Sequence, residues 1–260
     1  MNDPTQEFAV ERTRNVDAAG KDDALLADSL AWILAASRHR YSYNFSWLGR
    51  PIIQLPPDIV AMQELIWAVK PDLIIETGIA HGGSLVLSAS MLALLDYAEA
   101  VEKNDILDPR RPKRKVLGLD IDIRPHNRSA IEAHPMSSRI EMIQGSSIER
   151  SIISQVHSRA SDAERVLVAL DSNHTHDHVL AELEAYSPLV SVGSYCIVFD
   201  TLIEDSPAGS FPDRPWDKGN NPKTAVWDFL KRHPEFQVDK QMDHKLLISV
   251  APDGYLLRVK

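Results

Sequence analysis

The chain has a single cysteine in 260 residues, Cys196, so no internal disulfide can form, and the apolar run around it marks a small buried hydrophobe in a reducing compartment. No run approaches about 18 uninterrupted apolar residues, and the first residues, MNDPTQEFAVERTRNVDAAGKDD, contain no apolar core of signal-peptide type. These two absences predict a cytoplasmic protein with no membrane partner. A basic excess is missing as well. With 28 Lys and Arg against 37 Asp and Glu, the formal charge of -9 argues against sequence-independent binding to nucleic acid or anionic lipid. A small molecule is the expected partner, in a protein expected to form a homo-oligomer.

What is present suits an ordinary globular domain: 44% hydrophobic and 25% charged residues, enough chain to bury one sizeable core. Three stretches differ in character. Residues 1–22 show no apolar periodicity and read as a mobile arm, of a kind that can also pack on a partner subunit. Residues 23–70 read as a helical segment, with a helix over Asp23–Ser37, an irregular aromatic piece over Tyr41–Pro57, and a second helix opened by Pro57. In residues 71–260 short apolar runs alternate with helical stretches: 73–76, 115–121, 139–144, 165–171 and 195–200. Near-continuous Val/Ile/Leu runs of this length predict parallel strands covered on both faces, hence an α/β fold with a doubly wound, mostly parallel sheet. A helix over Pro222–Lys231 is followed by FQVDKQ (236–241) and KLLISV (245–250), which read as a C-terminal antiparallel hairpin. Of two long loops, 101–115 carries Arg110, Arg111, Lys113 and Arg114 and reads as solvated, whereas the Pro/Gly/Asp-rich 202–221 leaves the carboxyl end of the last parallel strand and reads as a lid.

The turn after the first of these strands, Glu76-Thr77-Gly78-Ile79-Ala80-His81-Gly82-Gly83-Ser84, has glycines for a tight turn and close backbone approach, then the free amides of a helix start. In an open α/β sheet that place is the ligand crevice. A dinucleotide site wants G-x-G-x-x-G. This turn has an acidic residue two before Gly78 and its next glycine at Gly82, with Ala80 between, the E-x-G-x-x-x-G spacing that resembles the methyltransferase pattern. Asp120, with Asp122 as a neighbouring substitute, ends the second strand, where a carboxylate can accept from ribose hydroxyls; Gly145, Ser146 and Ser147 follow the third, where polar groups can meet an adenine edge. Asp171 and Asp200 end the next two strands and deliver paired hard oxygen ligands suited to Mg²⁺. His174, three residues after Asp171 in DSNHTHDH, can take a proton near neutral pH; His176 and His178 read as surface or packing residues.

The segments IIETGIAHGGS, LGLDID, QGSS, LDSNHTHDHVLAEL and SPLVSVGSYCIVFDT together resemble the cephalosporin hydroxylase / rhamnosyl O-methyltransferase family, over roughly Tyr41 to the C-terminus. The resemblance implies a Rossmann-like methyltransferase fold and Mg²⁺-assisted transfer of the S-adenosylmethionine (SAM) methyl group to a hydroxyl of a sugar or secondary metabolite. On that reading Glu76, Gly78, Ala80, Gly82, Ser84, Asp120, Gly145, Ser146, Ser147 and Asp171 bind cofactor, Asp171 and Asp200 hold the metal, and Asp171 and His174 carry the chemistry. One position departs from the family pattern: Phe199 stands where an acidic residue usually precedes the aspartate, so that Asn173, Glu204 or waters must complete the metal shell, or the metal is lost and a base alone carries the reaction. That departure sustains an alternative, a non-catalytic SAM-binding subunit supporting a partner enzyme; a nicotinamide oxidoreductase is a further rival. Tyr41, Tyr43, Trp47 and Trp216 are candidates to stack on a sugar face.

Overall fold

A computed structural model describes residues 3–260. Helix α1 (Pro4–Ala19) begins where the Asp3 carboxylate accepts from the Thr5 amide and Pro4 fills the first turn. The segment lacks an apolar stripe, and accordingly none of its residues is buried, but the start signal is sufficient to make it helical rather than irregular. Helix α2 (Asp23–Ser37), capped by Asp22, has the expected bounds and buries only Ser29 and Ile33. The aromatic piece is more regular than its sequence suggests, because strands β1 (Phe45–Trp47) and β2 (Arg50–Ile52) pair antiparallel as a small separate sheet. Helix α3 (Pro56–Val69) follows, ended by Lys70 in the left-handed region.

The main sheet then builds by alternation: β3 (Leu73–Thr77), α4 (Gly83–Lys103), β4 (Lys115–Asp120), α5 (Pro125–Glu132), β5 (Ile140–Gln144), α6 (Arg150–Ala160), β6 (Val166–Leu170), α7 (His176–Tyr186) and β7 (Tyr195–Val198). These five strands are parallel in the order β5-β4-β3-β6-β7. The chain winds outward from β3 to β5, then crosses back to place β6 on the other side of β3, which puts the switch of strand order beside β3. Side chains alternate across the sheet: Ile74, Val116 and Leu167 join the core under α3 and α4, while Ile75, Leu117 and Val168 join the core under α6, α7 and α8. Helix α4 is long and apolar enough, by length and composition, to cross a membrane, but half of that apolar window is buried within the protein.

Helix α8 (Pro222–Leu230) starts with a capping box on Asn221. Strand β8 (Phe236–Val238) then pairs antiparallel with β9 (Tyr255–Arg258), which inserts between β7 and β8 and completes a seven-stranded sheet. The antiparallel hairpin therefore exists, but its second strand is YLLR rather than KLLISV. Two contacts displace the expected register. Asp239 caps a short helix α9 (Lys240–Leu246) that takes the first two residues of the run, and Asp58 on α3 accepts from Ser249 Oγ (2.6 Å) and the Val250 amide (3.0 Å), pinning the rest as a loop.

Candidate functional site

The carboxyl ends of β3, β4, β6 and β7 border a cavity of about 300 Å³, within the low end of small-molecule sites. Its floor is the turn after β3. Gly78 has φ +89°, and a Cβ there would lie 2.0 Å from the Asp171 carbonyl, so only glycine fits between these two strand ends. Ala80 sits at φ +45°, a left-handed residue with a side chain, held by the Asn127 amide donating to its carbonyl (2.8 Å). Asp120 anchors the same turn: one carboxylate oxygen accepts from the Ile79 amide (2.9 Å) and Ala80 amide (3.3 Å), the other from Asp122 N–H (3.0 Å). The oxygen that accepts only from Asp122 N–H keeps a lone pair for a ligand hydroxyl. The Asp122 side chain points to solvent, 70% exposed.

Glu76 lies buried beneath the turn and accepts from Ser84 Oγ at the start of α4. Burial pushes its carboxyl up to about 7 against the partial relief of that hydrogen bond. Ser84 lines the cavity; Gly82, at φ +80°, supports the turn from below against Ile131. Gly145, Ser146 and Ser147 stand apart from the cavity wall, and Ser147 is buried with its hydroxyl 3.1 Å from His178 Nε2.

Asp171, His174 and Asp200 converge, with one ligand atom from each lying within 4.8 Å of the others. Asp200 follows β7 at φ 57°, a left-handed conformation that aspartate tolerates and that swings its carboxylate back over the strand ends. His174 Nδ1 is 2.8 Å from Asp200 Oδ2. Burial would lower the imidazole pKa, but the charge and hydrogen bond of Asp200 outweigh it and hold it above its ordinary value. Burial, then repulsion from Asp200, Glu76, Glu182 and Asp58, holds the Asp171 carboxyl well above the usual carboxylate range. Gln54 reaches the same cavity with its Oε1 buried and without a donor. A crevice so rich in acceptors and acids favours a positively charged occupant.

Both residues named to replace the missing acid already hold local contacts, Asn173 through its only oxygen and Glu204 through one of two. Asn173 Oδ1 accepts from the Thr175 amide and hydroxyl, and Glu204 Oε2 accepts from Gly219 N–H and Asn221 Nδ2. Phe199 is buried in the core under α3 and α4, beside Met62, Glu76 and Asp171 around a void of about 10 Å³.

The loop after β7 lies along the site. Trp216 packs on His174 with ring centroids 4.7 Å apart, and the Arg214 guanidinium lies over the Trp216 ring at 5.3 Å. Of the remaining aromatic candidates, Tyr43 lines the cavity, whereas Tyr41 packs against Trp32 and Phe45, and Trp47 Nε1 donates to Ser90 Oγ (2.9 Å). Sequence reasoning misses Ser42 and Gln54 on the cavity wall, and Arg50, whose guanidinium binds the His81 carbonyl and Asn127 Oδ1. No pattern announces them, because they reach the site only when the β1–β2 hairpin folds over the glycine turn. His176 packs α7 on α8 through Thr224 Oγ1 (2.9 Å), as expected of a packing residue.

Residues 39–259 match the model of the family described as Rhamnosyl O-methyltransferase/CmcI. The rhamnosyl O-methyltransferase of Mycobacterium tuberculosis (strain H37Rv) is 26% identical over 238 residues, covering 86% of this chain and 85% of that protein. Its counterpart from Mycobacterium leprae (strain TN) is 25% identical over 233 residues, covering 86% and 90%. Among solved structures, apo CmcI-N160 superposes with a TM-score of 0.56 at 19% identity, covering 84% of this chain and 77% of that one. The Mg-SAM structure of cmcI-D160 superposes at 0.54 and 17% identity, covering 84% and 78%. At these identities the structural likeness is one of fold.

Proposed function

Because the chain belongs to the Rhamnosyl O-methyltransferase/CmcI family, we propose that it transfers the methyl group of SAM to a hydroxyl oxygen of a sugar or sugar-bearing metabolite, with a divalent ion at the reacting end. The observation that carries this reading is the convergence of Asp171, His174 and Asp200 beside a glycine turn, in an acid-rich crevice at the switch of strand order. SAM supplies an electrophilic methyl on a cationic sulfur, a charge this crevice attracts and one that the pyrophosphate of a nicotinamide cofactor lacks. Asp171 and Asp200 would hold Mg²⁺, whose role is to stabilise charge on the acceptor oxygen.

The chain's own groups divide the remaining work. Gly78 and Ala80 bring the backbone against the cofactor, Glu76 and Ser84 hold the start of α4 beside it, and Asp120 offers a spare lone pair to the ribose. Asp200 fixes the His174 ring through Nδ1, which leaves Nε2 to take the acceptor proton. Tyr43 lines the cavity and offers a face for a sugar ring, while Trp216 backs the His174 ring. The intact His174–Asp200 pair favours this reading over a subunit whose chemistry has decayed. A cytoplasmic location belongs to the same proposal, supported by the free, buried Cys196.

Calorimetry tests the reading. S-adenosylhomocysteine (SAH) should bind with micromolar affinity, about 8 kcal/mol, while NAD shows no heat; the reverse result, or no SAH binding, overturns it. With a panel of glycosides as acceptors, His174→Ala should keep SAH affinity and lose roughly 10²- to 10⁴-fold in turnover, and full turnover in excess EDTA would remove the metal from the mechanism.

A further inference from the structure

A set of polar contacts on α7 joins the loop after β5 to the loop after β6. Glu182 is fully buried, with one carboxylate oxygen accepting from Ser172 Oγ (2.7 Å) and the other without a partner. His178 Nε2 lies 3.5 Å from that carboxylate, 3.2 Å from Ser172 Oγ and 3.1 Å from Ser147 Oγ. Buried Tyr186, also on α7, donates to the Ser147 carbonyl. Ser147 belongs to the loop after β5, where the adenine is expected. Ser172 follows Asp171, whose carbonyl rests against Gly78.

The donors and acceptors fix a direction along this set. The Ser172 hydroxyl hydrogen is committed to Glu182, so Ser172 Oγ can only accept, and its donor is His178 Nε2–H. The same N–H faces Ser147 Oγ, which leaves the Ser147 hydroxyl hydrogen free to donate elsewhere. A buried carboxylate with an unpaired oxygen is unfavourable, and helix packing alone would be better served by an apolar residue.

We propose that His178 and Glu182 are positioning residues: they tie the nucleoside loop at Ser147 to the reacting end at Ser172–Asp171, so that cofactor binding at one sets geometry at the other. The proposal rests on the SAM reading above. It predicts that Ser147 and Ser172 act on cofactor affinity as one unit, because both lean on a single imidazole.

The test is SAH titration of the full chain well below its melting temperature, with melting temperature recorded separately. His178→Ala should weaken SAH about tenfold, and the isosteric Glu182→Gln should weaken it severalfold. Ser147→Ala and Ser172→Ala should each weaken binding, while their double mutant falls well short of the product of the two effects. The serine cycle stands even if a change at Glu182 prevents folding, since each serine change removes one oxygen. If the two serine effects multiply, or if the variants lose melting temperature with unchanged SAH affinity, the proposal is overturned while the cofactor reading survives. If the wild type fails to bind SAH, both fall.

Discussion

Helix α4 touches two buried charged clusters, one at each end of the sheet, and they are built on opposite plans. At its far end Asp96 accepts from Arg114 and from Arg139 (2.6 Å), with Glu99 2.9 Å from Arg114, so that acids and bases alternate in a closed set. At its beginning Ser84 meets Glu76, and around it gather Asp171, Asp200, Asp58 and Glu182, with His174 on Asp200 as the one paired base. A charge removed from water is tolerated when an opposite charge replaces the water. The far cluster has done so internally and is a clamp. The near cluster has done so only at Asp200, through His174, which is what separates it from a closed scaffold.

The sharpest way to break this comparison is to open the clamp. Asp96→Ala leaves Arg114 and Arg139 buried without their shared carboxylate and should cost about 3–5 kcal/mol in urea unfolding. A loss near that of an exposed ion pair would mean that the far cluster is not closed at all.

Acidity should move the two ends in opposite directions. Glu76 is held up to about 7, so the folded chain binds that proton more tightly than the unfolded chain does. Ligand-free stability should therefore fall as pH rises from about 4.5 to about 7, by about 3 kcal/mol for this group alone, and Glu76→Gln should flatten that part of the curve. Asp58, raised to about 6 by burial, adds a fall of the same sign at lower pH. Hydrogen bonds from Lys103 and Arg114 hold Glu99 down to about 2, so its contribution is present above about 4.5 and lost as pH falls toward 2. Thermal melts of the wild type, Glu76→Gln and Glu99→Gln across pH 2–8 check both signs, and parallel curves for the two variants would erase the distinction.

The smallest effect belongs to Ala80, whose left-handed backbone glycine would adopt without strain. Ala80→Gly should gain up to about 1 kcal/mol, the steric relief exceeding the entropy that glycine adds to the unfolded chain. A destabilised variant would show that Asn127 and Asp120 already hold the turn free of strain.

The sheet was legible because its inner strands β3, β4, β6 and β7 are buried on both faces and therefore read as apolar runs ending in polar residues. Asp171 and Asp200 could be placed side by side from that fact alone, and so could Gly78 and Asp120. What was hidden depends on contacts distant in sequence. The charge-rich loop before β4 reads as solvated, yet Arg114 turns inward because Asp96 and Glu99 await it 18 and 15 residues earlier. KLLISV has the composition of a strand, yet its start closes α9 and its end is a loop because Asp58, nearly two hundred residues away, takes the donors of Ser249 and Val250. Gln54 and Ser42 carry no pattern and become part of the site only through the fold of the hairpin that precedes the sheet.

That hairpin has a bearing on any attempt to redirect the protein. Arg50 grips the glycine turn through the His81 carbonyl, and the Pro51 carbonyl lies 2.2 Å from where a Cβ on Gly83 would stand. The hairpin and the glycine turn proposed to hold the cofactor are stitched together at these two points. A chimera that imports a new acceptor segment must therefore keep Arg50 beside Asn127 and a carbonyl that tolerates Gly83, or the graft will disturb the very turn it was meant to leave alone.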